Sequence, residues 1–142
     1  MDAKIWKGTL AGGVVYFILG WIVYGILLAG YMASNFNTCA NRPQEDMIWW
    51  AIIASNLLYS LFLTLFLKWS GTSTVVNGLK MGALFGLLFT ATIDLSMYSM
   101  TTMFNDLTGL IVDVVVATAL GAIIGTTIVL VWGKEKNQPA TA

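Results

Sequence analysis

The sequence predicts an all-α integral membrane protein, a four-transmembrane-helix bundle with both termini cytoplasmic. Three observations predict it. The chain is 58% hydrophobic and only 10% charged, with a mean hydropathy of +0.80, whereas roughly a quarter of a soluble domain is charged. Its apolar residues gather into four long runs. Its basic residues gather at alternate ends of those runs.

The 142 residues are enough for one membrane domain, residues 1–142. The four expected helices cover residues 8–31, 47–67, 79–103 and 108–132. Each run has about 20 residues or more, sufficient to cross a hydrocarbon core of ~30 Å as helix. None shows the alternation of a barrel strand, and an unpaired backbone cannot cross lipid. The first run follows Lys4 and Lys7 as a signal peptide would. Its apolar stretch is about twice the usual length of such a segment, so a retained helix is expected. No internal repeat is evident.

Orientation follows from Lys and Arg near the helix ends. Lys4, Lys7, Lys68, Lys80, Lys134 and Lys136 fall on one side and Arg42 alone on the other. The lysine side is therefore expected in the cytoplasm, with residues 133–142 as a short cytoplasmic tail. Trp6, Trp69 and Trp132 would form an inner aromatic belt, with Trp49 and Trp50 at the outer interface. Residues 32–46 are expected as a polar outer loop containing Pro43. Glu45 and Asp46 would cap the second helix, where acids suit its exposed N–H groups and dipole. Asp106, in "NDLT", would cap the fourth helix from a tight outer turn.

Small residues recur at steps of four: Gly8 and Gly12 in the first helix, Gly78, Gly82 and Gly86 in the third, Ala117, Gly121 and Gly125 in the fourth. This spacing lets membrane helices approach closely. All these positions lie in the predicted cytoplasmic half, leaving the outer half to larger and polar side chains.

Three aspartates stand in the apolar stretch from Phe89 to Gly121. With Asp106 assigned to a turn, Asp94 and Asp113 remain. Asp94 falls about three residues outward of its helix centre and Asp113 about six, roughly 5 and 10 Å. A charged Asp near mid-membrane costs roughly 2.5–3.5 kcal/mol on insertion scales, and no Lys or Arg lies at that depth. Asp94, Asp113, Asn56, Tyr24 and Tyr98 are therefore the candidate ligand-binding or proton-responsive site, in the outer half of the bundle. The alternative is hydrogen-bonded polar glue between helices. On a straight helix the glycine ridge spirals away from the Asp94 face, so convergence of the two acids depends on how the helices cross.

Several functions are disfavoured. There is no His, and the single Cys39 allows no internal disulfide. No metal site is expected, and the methionines of "MYSMTTM" are expected to fill packing space. No Ser–Lys or Gly-x-Ser-x-Gly arrangement is present, and no lysine lies at mid-membrane to hold a cofactor. Neither catalytic residues nor a cofactor are expected. A net charge of zero offers no field for nucleic acid.

The segments "YFILGWIVYGILL", "NRPQEDMIWWAIIASNLL" and "TIDLSMYSMTTMFNDLTGLIVDV" resemble an uncharacterised group of small four-helix bacterial membrane proteins, of a kind common in the Bacteroidota. The resemblance implies a four-helix inner-membrane protein and supplies no activity and no catalytic residue. The expectation is a non-enzymatic multi-pass protein with a polar site for a small ligand, lipid or ion. Its partners would be the lipid bilayer and either further copies of itself or another membrane protein. The alternatives are an accessory subunit of a larger membrane complex, a small proton-coupled transporter or an intramembrane enzyme. Small multidrug transporters carry their essential acid in the first helix, and this first helix has none.

Overall fold

A computed structural model describes residues 2–133. The described residues contain five α-helices: α1 (Ala3–Ile22), α2 (Ala29–Asn35), α3 (Trp49–Trp69), α4 (Val75–Met100) and α5 (Leu107–Trp132). There is no strand among them. Four helices are long and apolar enough to cross a membrane, the first being α1 with its extension to Leu27. Lys134 and Lys136, and the rest of the expected tail beyond Gly133, lie outside the described residues.

The first expected helix differs most from its sequence pattern. α1 starts as soon as Asp2 can cap it, the carboxylate accepting from the Lys4 amide at 3.1 Å. It becomes a π-helical turn over Val23–Leu27. It breaks at Leu28, whose φ of −102° and ψ of 4° leave the helical region. The chain resumes as α2, so residues expected in a polar outer loop begin helical. Side chains support this short helix by bonding back along it: Ser34 Oγ donates to the Gly30 carbonyl and Asn35 Nδ2 to the Tyr31 carbonyl.

The expected cap by Glu45 and Asp46 is also corrected. They sit in a separate 3-10 turn, Gln44–Asp46, and α3 starts after Ile48 with no side-chain cap. Two other starts follow the rules of capping. Thr74 Oγ1 accepts from the Asn77 amide at 3.2 Å, and Asp106 Oδ1 accepts from the Gly109 amide at 3.1 Å, satisfying donors no helical carbonyl can reach.

Among the pairings of the four long apolar helices, α4 with α5 is the most extensive, and α1 packs against both α3 and α5. Glycines set the closest approaches. Gly78 lies against Gly125, Gly82 against Gly121 and Gly86 against Ala117. A Cβ on Gly78 would stand 2.8 Å from the Gly125 carbonyl oxygen and 2.7 Å from Val129 Cγ2. On α1, Gly8, Gly12 and the unforeseen Gly13 receive Thr64, Ser60 and Leu57 of α3. Gly8, Gly12, Gly78, Gly82, Gly86, Gly121 and Gly125 thus sit where neighbouring helices approach closely. Between α3 and α4, where few backbones meet, aromatic rings fill the gap. Tyr59 lies 4.5 Å from Tyr16 of α1 and 5.4 Å from Phe85 of α4, centroid to centroid. The core is Leu63, Leu67, Ile124 and Ile128, all fully buried.

The bundle has chemically distinct ends. At one, Lys68 Nζ pairs with Asp2 Oδ2 at 2.8 Å, and Trp132 Nε1 donates to the Lys4 carbonyl at 2.8 Å. At the other, Phe36 and Phe104 bury their rings 4.8 Å apart across an isolated antiparallel bridge. The outward surface is apolar along its length, with Trp21, Leu58, Leu88, Val115 and Leu130 all exposed. At the lysine end Trp132 is tucked against α1, whereas Trp6 and Trp69 are exposed.

Candidate functional site

The glycine register brings the two acids together. Each step of four along α4 is met by a step of four back along α5, from Gly78·Gly125 to Gly86·Ala117. Further along the same pair of helices stand Asp94 on α4 and Asp113 on α5, close enough for their side chains to interact. The spiral of a straight helix does not separate them, because both ridges wind around each other.

Asp94 is 6% exposed. Its side chain lies within hydrogen-bonding reach of Asp113, and its Oδ2 has no partner among the described residues. Asp113 is half-buried and already engaged, because the Tyr24 hydroxyl donates to its Oδ1 at 2.6 Å. Tyr24 stands in the π-helical turn, a local geometry that often accompanies functional sites. Tyr16, two turns earlier, also lies in the electrostatic field of Asp113, and the Tyr59 ring contacts Tyr16 at a tilt of 42°. Three helices thus converge: α4 brings Asp94, α5 brings Asp113, and the first span brings Tyr24.

A buried carboxylate and a half-buried one side by side repel each other when both are charged, and no described Lys or Arg is placed to offset them. A single proton on either one turns repulsion into a hydrogen bond. The arrangement can therefore bind a proton or a small cation. Tyr24 can only donate to Asp113 while its phenol keeps its proton, which gives this corner of the site a fixed direction.

The remaining candidates separate. Asn56 turns its amide to its own helix, donating from Nδ2 to the Ile52 carbonyl at 2.7 Å, and it borders a cavity rather than the acid pair. Tyr98 is 44% exposed on the outer face of α4 and is not brought to the acids. Sequence reasoning passed over Tyr31, whose buried hydroxyl has no partner among the described residues. It packs against the Phe36–Phe104–Leu110 cluster together with Met97 and Val114, the former three residues along α4 from Asp94 and the latter next to Asp113. Its place after a helix break concealed it.

A cavity of about 510 Å³ opens between the first span and the start of α3, walled by Tyr16, Trp21, Tyr24, Trp49 and Asn56, with Gly20 in its lining. Tyr24 therefore belongs to both features: its ring borders the cavity and its hydroxyl holds Asp113. No group of three or more metal-ligating side chains occurs among the described residues. Comparisons of the chain with protein-family models, with curated proteins and with solved structures find no match.

Proposed function

We propose that this is a non-enzymatic, multi-pass protein of a bacterial inner membrane whose Asp94–Asp113 pair, held by Tyr24, forms a proton-responsive site in the outer half of the bundle. The observation that carries the reading is the unpartnered, buried Asp94 Oδ2 beside a second carboxylate. Polar groups inside a membrane are costly and are retained where they serve a site or bond to one another. Asp113 has its bond; one oxygen of Asp94 has none. Both termini face the cytoplasm in this reading, which rests on Lys4, Lys7, Lys68 and Lys80 being opposed by Arg42 under the positive-inside rule. Further copies or a partner membrane protein would cover part of the apolar exterior.

Infrared spectroscopy of the protein in lipid tests the proton site. A protonated carboxylic acid gives a carbonyl band separate from carboxylate and amide bands, and the band shifts on exchange into D2O. The expected result is such a band at neutral pH that disappears in Asp94→Asn. A spectrum without it, or one that Asp94→Asn leaves unchanged, overturns the reading. Topology has its own probe, since the single cysteine, Cys39, is free and exposed. A membrane-impermeant maleimide should label it from the outer face of spheroplasts without permeabilisation; labelling only after lysis would reverse the orientation.

A further inference from the structure

We propose that the cavity between the first span and α3 is a binding site for a lipophilic organic cation, a positively charged centre carrying apolar or aromatic groups. The inference adds a ligand class to the site described above, with which it shares Tyr24.

Shape and lining point to an organic guest. A volume of about 510 Å³ lies in the range of small-molecule pockets, which are mostly apolar with a few placed polar groups. Here the apolar part is largely aromatic: Tyr16, Trp21, Tyr24 and Trp49 present rings from two spans beside Met47 and Ile52. Aromatic faces carry negative electrostatic potential and attract organic cations, which shed water more readily than small ions. Asn56 and Gln44 supply neutral dipoles.

Charge decides the sign of the guest. No lining residue is charged. Behind Tyr24 stands Asp113, hydrogen-bonded through the phenol, and next to it Asp94. At the mouth, Gln44 belongs to the turn that carries Glu45 and Asp46. Arg42 is in the same loop but does not line the cavity. Lys4, Lys7, Lys68 and Lys80 belong to the other end of the bundle, where the Lys68–Asp2 pair and Trp132 are found. A cation entering here meets aromatic faces with carboxylates behind and beside them; an anion of the same shape meets the same faces and is repelled by those carboxylates.

Gly20 allows the cavity to be closed without disturbing the fold. It lines the space, and a Cβ built on it meets nothing within 4 Å. A larger side chain at this position has room in the cavity itself.

The test uses two rigid ions of nearly equal size and opposite charge, tetraphenylphosphonium and tetraphenylborate, titrated into the purified full chain in detergent. Calorimetry reads binding, and the part of the tryptophan quenching that is lost in Trp49→Ala reports contact with the cavity. The expected result is saturable binding of tetraphenylphosphonium alone, weakened about tenfold or more by Gly20→Phe and by Trp49→Ala. Thermal unfolding of Gly20→Phe should match that of the parent, which keeps loss of the cavity distinct from loss of the fold. Equal binding of both ions, or phosphonium binding that Gly20→Phe leaves unchanged, overturns the inference. Absence of binding to the parent protein does so too. The proton site fails separately: its infrared band is read without any cation, and Gly20→Phe should leave that band in place.

Discussion

The Tyr24 hydroxyl donates to Asp113 Oδ1 at 2.6 Å, joining the π-helical turn of the first span to α5 across 89 residues of sequence. This bond fixes one carboxylate of the pair and leaves the other, Asp94, with an open oxygen. It also makes one side chain part of both the acid pair and the aromatic cavity.

Removing that donor should loosen the π-helical turn of the first span from α5. Tyr24→Phe keeps the ring and deletes the hydroxyl. The expected loss is about 1 kcal/mol, since hydrogen bonds between membrane helices measure roughly 0.6–1.7 kcal/mol. Reversible unfolding in mixed micelles would measure it. Equal stability of the two proteins would show that the bond contributes nothing net.

Glycines at different places should respond in opposite ways. Gly82→Ala drives a methyl into the Gly121 carbonyl of α5, where backbone rather than a flexible side chain must yield. A loss of about 1–3 kcal/mol is expected, typical of an overpacked contact. Gly20→Ala meets nothing within 4 Å, and its thermal midpoint should not fall. If the two substitutions behave alike, the close approach of α4 and α5 is not the cause.

Phe36 and Phe104 close the end opposite the lysines. Each is 6% exposed, and the strand-like backbone beside them exchanges two bonds, from the Asn37 amide to Met103 at 2.7 Å and from the Asn105 amide to Asn35 at 3.1 Å. Phe104→Ala should cost about 3 kcal/mol locally. Hydrogen exchange at Asn37 and Asn105 should accelerate together, with α4 and α5 near the glycines unaffected. Retained protection at either amide would separate the ring contact from the bridge.

At the lysine end, the Lys68 ammonium and the Lys4 amide hold the Asp2 carboxyl below its ordinary value of 3.8. A lowered folded value means the stabilisation is complete above that ordinary value and is lost as pH falls through the folded one. The pair is solvent-exposed, so the effect is small. Thermal midpoints measured on acidification should fall less steeply in Asp2→Asn than in the parent. Parallel slopes would remove Asp2 from the acid response.

Much of the architecture was legible because lipid imposes simple rules on a chain. A run of about 20 apolar residues must be helical, and small residues at steps of four must face a neighbour. On those grounds the four spans, the glycine contacts and the Asp106 cap could be read in advance. The segment around residues 23–36 could not. A π-helical turn and the break at Leu28 leave no compositional trace, so the start of α2 was read as a continuation of the first helix and residues 32–35 as loop, and Phe36 lay hidden among Asn35, Asn37 and Thr38. Glu45 and Asp46 had the composition of a cap, but Met47 and Ile48 intervene before α3.

The candidate site divides along the same line. The sequence by itself determined that Asp94 and Asp113 sit in helices long and apolar enough to cross a membrane, with no Lys or Arg at their positions along them, because composition and distance along a helix are local properties. Only the tertiary structure decided that they face each other, that Tyr24 holds one of them and that Tyr98 stays outside. Those outcomes depend on the crossing of α4 and α5, and that crossing is set by which glycine meets which backbone, from Gly78·Gly125 to Gly86·Ala117. Helical spacing specifies a face; the partner's register specifies what that face meets.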